Sequence, residues 1–174
     1  MMLFVLRLRR SMALLGFLYP SFSFHRIARF QCKGSTLVHF FTSHFFTTLV
    51  NEGPNGVSSW TSRKEINIFQ KKFIFIPINE SLHWSLCVVV NAGNIRRQLI
   101  GTPPDDEDEI PFLLFFDSLK AHKKNKVGRK VREWLNFESR RVGLANGISD
   151  EPFNEETMKL YDPKGMSLLL NLAF

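Results

Sequence analysis

Three apolar, strand-like runs set among two segments of helical periodicity predict a domain that mixes helix with sheet. The first observation is the pair Phe73-Ile74-Phe75-Ile76-Pro77-Ile78 and His83-Trp84-Ser85-Leu86-Cys87-Val88-Val89-Val90. Both are rich in β-branched and aromatic residues, and the turn-prone Asn79-Glu80-Ser81 separates them. The second is Phe112-Leu113-Leu114-Phe115-Phe116, apolar at every position and so suited to a strand buried on both faces. The third is the three- and four-residue spacing of apolar side chains in residues 37–50 and 123–140. With 174 residues, 44% hydrophobic and 22% charged, the chain suits one domain with a sizeable core and is too apolar for wholesale disorder.

Residues 1–36 stand apart. Arg7, Arg9, Arg10, Arg26, Arg29 and Lys33 lie within the first 33 residues, which hold no Asp or Glu. They supply +6 of the formal net charge of +7. The basic character therefore belongs to this segment and not to the rest of the chain, whose 17 basic and 16 acidic side chains leave a net of +1. Its longest uncharged run, residues 11–25, is interrupted by Gly16 and Pro20. A spanning helix needs roughly 20 apolar residues, so no transmembrane segment is expected. The segment is expected to be a poorly ordered extension. Its acid-free, Arg- and Ser-containing composition also resembles an organelle transit peptide, and a basic binding arm is the third reading.

The elements of the domain follow from residue 37. Leu37, Phe40, Phe41, His44, Phe45 and Thr48 predict a helix over 37–50. His39 and His44 are five apart and fall on different faces, which argues against a shared metal. Glu52-Gly53-Pro54-Asn55-Gly56 reads as a loop. Residues 60–72 are polar, anchored by Trp60, Ile66, Ile68 and Phe69. After the two strands, residues 91–111 read as an irregular excursion with an acidic, solvated tip from Asp105 to Glu109. A basic helix follows the third strand. Val127, Val131, Trp134 and Leu135 form its apolar face, with Lys124, Lys126, Arg129, Lys130 and Arg132 directed mostly away. Such a face is ordinarily solvated, and nucleic acid is not the expected partner. Residues 143–164 read as loop, and 165–174 as a divergent apolar tail.

His83 and Asp117 are the pair with chemical potential. In an antiparallel register that sets them opposite each other, their Cβ atoms lie roughly 5 Å apart. At that distance a carboxylate orients an imidazole and fixes its tautomer. The alternative is a polar pair at a sheet end. A catalytic pair needs a nucleophile, and the chain offers two cysteines, Cys32 and Cys87. They are too few for a disulfide framework or a cysteine-rich zinc site, which favours a reducing compartment. Cys87 lies four residues beyond His83 on one strand, roughly 13 Å away and out of reach. Cys32 has no motif around it. No G-x-S-x-G elbow, phosphate loop or metal-ligand spacing is present.

Phe69-Gln70-Lys71-Lys72-Phe73-Ile74-Phe75-Ile76-Pro77-Ile78-Asn79, His83-Trp84-Ser85-Leu86 and Phe115-Phe116-Asp117-Ser118-Leu119 resemble the Ulp1/SENP family of SUMO-specific cysteine proteases, in its plant-type form. His39-Phe40-Phe41, Phe45-Phe46 and Trp60 fit the stretch before that block. The resemblance runs from about Val38 to Lys164. It implies a papain-like α+β fold, with a central mixed sheet and flanking helices, incomplete at both ends. It implies a peptidase region at 37–164 and cleavage after the diglycine of a SUMO-like modifier. His83 would be the general base, Asp117 its orienting carboxylate, and Trp84 the cover of the channel that takes the diglycine tail. No metal or organic cofactor is implied. The implied partner is a SUMO-like modifier or its conjugate, and the expected state is a monomer. The family resemblance points to the nucleus and the N-terminal composition to an organelle.

The departures carry their own expectation. The family's Asp-Cys-Gly nucleophile motif, the Gln before it and the early tryptophan-containing segment have no counterpart here. Without the thiol, turnover should fall by about six orders of magnitude. The chain is thus expected to be inactive as written. The remaining readings are a non-catalytic SUMO-binding remnant and a basic nucleic-acid-binding protein.

Overall fold

The computed structural model describes residues 37–102, 109–117 and 119–162. The basic N-terminal segment, most of the acidic run and the apolar tail lie outside them. Among the described residues, five strands form one mixed sheet in chain order: β1 (Val38–Phe40), β2 (Phe73–Glu80), β3 (His83–Val90), β4 (Phe112–Phe116) and β5 (Lys159–Tyr161). β2, β3 and β4 are antiparallel neighbours, while β1 joins β2 and β5 joins β4 in parallel. Parallel neighbours need crossovers. The β1–β2 crossover is supplied by α1 (His44–Val57) and α2 (Ser59–Ser62), and the β4–β5 crossover by α4 (Lys124–Val142). A short α3 (Ile95–Leu99) follows β3.

The sheet face of Ile74, Ile76, Ile78, Cys87, Val89, Leu113 and Phe115 shares one core with Phe45, Phe46 and Leu49 of α1 and Val127, Val131, Trp134 and Leu135 of α4. Each of these is buried, as strict alternation along β2, β3 and β4 demands. The opposite face carries Phe73, Phe75, Leu86, Val88, Val90, Phe112, Leu114 and Phe116. The three central strands are therefore apolar on both sides, as expected for 112–116 from its unbroken apolar sequence.

The predicted helix over 37–50 is instead a strand and then a helix. Lys72 and Phe73 donate their N–H groups to the Leu37 carbonyl, and Phe41 N–H bonds to the Phe75 carbonyl at 2.9 Å. Phe40 stacks on Phe75 with centroids 4.6 Å apart. Over four residues an apolar run fits either period, and the open edge of β2 settles this one. The Gly-Pro loop at 52–56 is a kink within α1: only Gly53 leaves helical geometry, at φ 72° and ψ −173°, a conformation glycine adopts without steric cost. Pro54 then restarts the helix, where its missing N–H leaves no bond unmade.

The excursion at 91–111 is partly built into the core. Asn91 takes a left-handed conformation, a 3₁₀ turn spans Ala92–Asn94, and Ala92 and Ile95 are fully buried. Asn94 Nδ2 donates to the Glu109 carbonyl at 2.8 Å, fastening the two ends of the excursion together. Helix α4 is close to its predicted bounds and ends on Gly143 at φ 68°, with Leu144 N–H reaching back to the Ser139 carbonyl. Arg132 corrects the reading of its basic face. It is only 7% exposed, donates from Nε to the Met158 carbonyl at 2.9 Å and faces Glu155 at 3.6 Å. The loop at 143–164 yields β5, which the Lys-Leu-Tyr sequence alone does not announce.

Candidate active site

β3 begins at His83 directly after a two-residue hairpin turn. Ser81 and Leu82 both have positive φ, at 52° and 63°, and Glu80 pairs with His83 across them. Such a turn matches the twist of the two strands and fixes where β3 starts. It is made without glycine, and Leu82 at its tip is 98% exposed.

The register of β3 with β4 corrects the one that would oppose His83 and Asp117. Leu86 pairs with Phe116 and Val90 with Phe112, so the continued ladder puts Asp117 opposite Ser85. His83 is the diagonal neighbour on the same face. The imidazole spans that diagonal: His83 Nε2 lies 2.6 Å from Asp117 Oδ1. The side chains are only 14% and 3% exposed. A two-residue error in register preserves side-chain parity, which is why the pairing survives it.

Asp117 is held from three directions. Besides His83, Leu119 N–H donates to Oδ1 at 3.2 Å and His122 N–H to Oδ2 at 2.8 Å. Burial pushes its acidity toward the neutral form, but the His122 N–H and the His83 imidazole outweigh it and keep the carboxyl below its ordinary range. An ionised Asp117 can only accept, so His83 Nε2 carries the proton and its Nδ1 is the basic nitrogen.

His122 was not legible in the sequence. Its Nδ1 lies 2.7 Å from Ser85 Oγ, and its ring centroid is 4.8 Å from that of His83. A loop five residues beyond Asp117 brings it there, and no spacing rule marks such a residue. Trp84 alternates to the other face of β3 and pairs with Asn79.

Cys87 lies in the core, fully buried, and burial pushes its thiol up to about 12 against the weak opposing pull of Arg132. It is inert packing, as its place along β3 indicates. Cys32 lies outside the described residues. His39 packs edge-on against Phe41, at 4.5 Å between centroids. Burial and the charges of Lys71 and Lys64 hold it below the usual imidazole range. His44 sits at the start of α1 and makes no site with it. Among the described residues no helix is long and apolar enough to cross a membrane.

The largely buried His83–Asp117 pair lies where β3 begins and β4 ends, an arrangement in which a carboxylate can orient an imidazole. Residues 18–141 match the model of the Ulp1 protease family, C-terminal catalytic domain. Over 140 residues, 72% of this chain, it is 34% identical to probable ubiquitin-like-specific protease 2A of Arabidopsis thaliana. Over 103 residues, 59% of this chain, it is 35% identical to sentrin-specific protease 5 of Homo sapiens. A crystal structure of a de-sumoylating protease superposes on 86% of this chain with a TM-score of 0.55 at 23% identity, a likeness of fold. The chain spans 17% and 11% of the lengths of the two curated relatives, and 55% of the solved one. The fold is the papain-like α+β arrangement that the sequence resemblance implies, and the chain belongs to the Ulp1 protease family.

Proposed function

We propose that these residues form the base-bearing part of a cysteine isopeptidase that cuts after the diglycine of a SUMO-like modifier. The single observation that carries this is the 2.6 Å contact between His83 Nε2 and Asp117 Oδ1 within a family-matched frame. In the complete site, His83 Nδ1 takes the proton of a cysteine thiol. Asp117 holds the ring in place and stabilises the imidazolium that forms. The thiolate attacks the carbonyl carbon after the diglycine, and the imidazolium returns its proton to the leaving amine. Water, deprotonated by the same His83, then releases the acyl group. Trp84 covers the channel that admits the diglycine tail.

Among the described residues no thiol lies within reach of His83. Cys87 is sealed in the core with its thiol raised to about 12. A polypeptide of these 174 residues is therefore expected to recognise the modifier without cutting it. The basic side chains of α4 support a protein partner over a nucleic acid. Lys130 bonds Glu133 at 2.8 Å, and Lys126 and Lys124 face Glu80 and Asp162 at 3.7 and 3.9 Å. That face is already matched with acids. The working state in this reading is a monomer in the nucleus.

The test is a titration of isotope-labelled SUMO with the chain, beside a cleavage assay on a SUMO precursor and a vinyl-sulfone probe of the modifier. Saturable shifts at the modifier's C-terminal tail, weakened by Trp84→Ala, with no cleavage and no adduct, are expected. Absence of binding by a folded chain would overturn the reading of the modifier. Cleavage or adduct formation would overturn the reading of the thiol.

A further inference from the structure

His83, Asp117 and His122 bring two imidazoles and a carboxylate together, with one donor atom of each lying within 4.8 Å of the others. They come from the start of β3, the end of β4 and the loop before α4, positions 34 and 39 residues apart in sequence, so no ligand spacing reveals them. A second, independent observation concerns His122. Its Nε2 is buried and has no hydrogen-bond partner, while its Nδ1 is engaged by Ser85 Oγ at 2.7 Å. A buried polar atom left unmatched costs free energy unless something else binds it.

We propose that His83 Nε2, Asp117 Oδ1 and His122 Nε2 form a binding site for a transition-metal cation of the Zn2+ class. Two imidazoles and one carboxylate favour such an ion over Mg2+ or Ca2+, which take oxygen donors. The surroundings fit the role. Ser85 holds the far nitrogen of His122, and the backbone N–H groups of Leu119 and His122 fix the carboxylate. These are the outer contacts that orient metal ligands. Tetrahedral Zn2+ with bonds near 2.0–2.1 Å needs its ligand atoms about 3.3 Å apart. The His83–Asp117 contact would open by less than an ångström and the third ligand would close. The metal takes the place of the proton on His83 Nε2 and the ring carries one at Nδ1 instead, so His83 binds as the neutral imidazole. Three protein ligands leave a fourth position open.

One consequence rests on the proposed function. The metal replaces the hydrogen bond that orients the base, so Zn2+ is a reversible inhibitor of the completed enzyme. The binding itself does not rest on that reading.

The experiment is titration of the full chain with Zn2+ by calorimetry and with Co2+ by visible absorption. One ion per chain and the d–d bands of four-coordinate Co2+ are expected, unaffected by excess Mg2+. His83→Ala and His122→Gln lose both signals. The Gln variant keeps a side-chain amide for Ser85, and circular dichroism and thermal unfolding establish that both variants fold. Ser85→Ala weakens binding by about 10- to 100-fold. A chain carrying His25→Ala, Cys32→Ser, His39→Ala and His44→Ala together keeps the site. Absence of one-to-one binding, or binding that survives His83→Ala or His122→Gln, overturns the proposal. A chain that binds Zn2+ but not SUMO would refute the function above and leave this site standing.

Discussion

Replacing Asp117 by Ala removes the group on which the site is assembled. Its carboxylate accepts from His83 Nε2 at 2.6 Å, His122 N–H at 2.8 Å and Leu119 N–H at 3.2 Å. Hydrogen bonds to a charged group are each worth about 1.5–3 kcal/mol. The three do not count equally. Leu119 is exposed, and water can replace its partner. His83 is 14% exposed and can be partly rehydrated. His122 N–H is the least replaceable, so the summed loss should be about 3 kcal/mol. For a chain of this size that lowers Tm by about 6–12 °C.

The pH dependence has a definite sign. Asp117 is held below the ordinary carboxylate range, so the unfolded chain takes up its proton first as pH falls. The stabilisation is full above the unfolded value, near pH 4, and fades as pH drops through the lower folded value. Urea denaturation of the native chain and Asp117→Ala at neutral and strongly acid pH measures both effects. The gap between them should narrow toward acid. A loss below about 1 kcal/mol at neutral pH, or a gap that widens toward acid, would refute the account of how the carboxylate is held.

Three further outcomes follow from the packing. A Cβ at Gly93 would lie 2.1 Å from the Phe69 carbonyl oxygen, which is backbone and cannot step aside. Gly93→Ala should cost at least about 2 kcal/mol, and thermal unfolding at native Tm would contradict that contact. Asn136 donates to the Phe153 carbonyl at 3.0 Å and accepts its N–H at 2.9 Å, both inside the core. Asn136→Leu leaves two backbone groups unmatched and should cost about 2–6 kcal/mol in urea denaturation, whereas a loss under about 1 kcal/mol would show that the segment re-pairs elsewhere. In a Cys32→Ser background, Cys87 should resist alkylation at pH 8 until the protein unfolds, since a thiol raised to about 12 is thiolate in about one molecule in ten thousand at that pH. Rapid labelling of the folded chain would show that the strand opens.

The central strands were legible because their apolar residues alternate or run unbroken, and the pairing of His83 with Asp117 was legible because both lie on one parity of neighbouring strands. What escaped was held by tertiary contacts. β1 and β5 are three residues each and exist because the edges of β2 and β4 offer unpaired backbone. Arg132 carries a charge and yet lies inside, because the Met158 carbonyl and Glu155 meet it there. His122 reaches the site through a loop whose sequence says nothing of its destination. The register was missed by two residues because periodicity fixes parity but not offset, and the hairpin at Ser81 and Leu82 sets only the β2–β3 offset.

The central claim is that His83 and Asp117 are the base and orienter of a diglycine-directed cysteine protease. Its most direct measurement is a chimera in which this chain, through Lys164, is joined to the Asp-Cys-Gly-bearing segment of a Ulp1-family relative and assayed for SUMO-precursor cleavage. The account predicts cleavage after the diglycine that is abolished by His83→Ala and by loss of the supplied cysteine, and reduced by orders of magnitude in Asp117→Ala. A folded chimera that binds the modifier and stays inactive, or one whose activity survives His83→Ala, would contradict it.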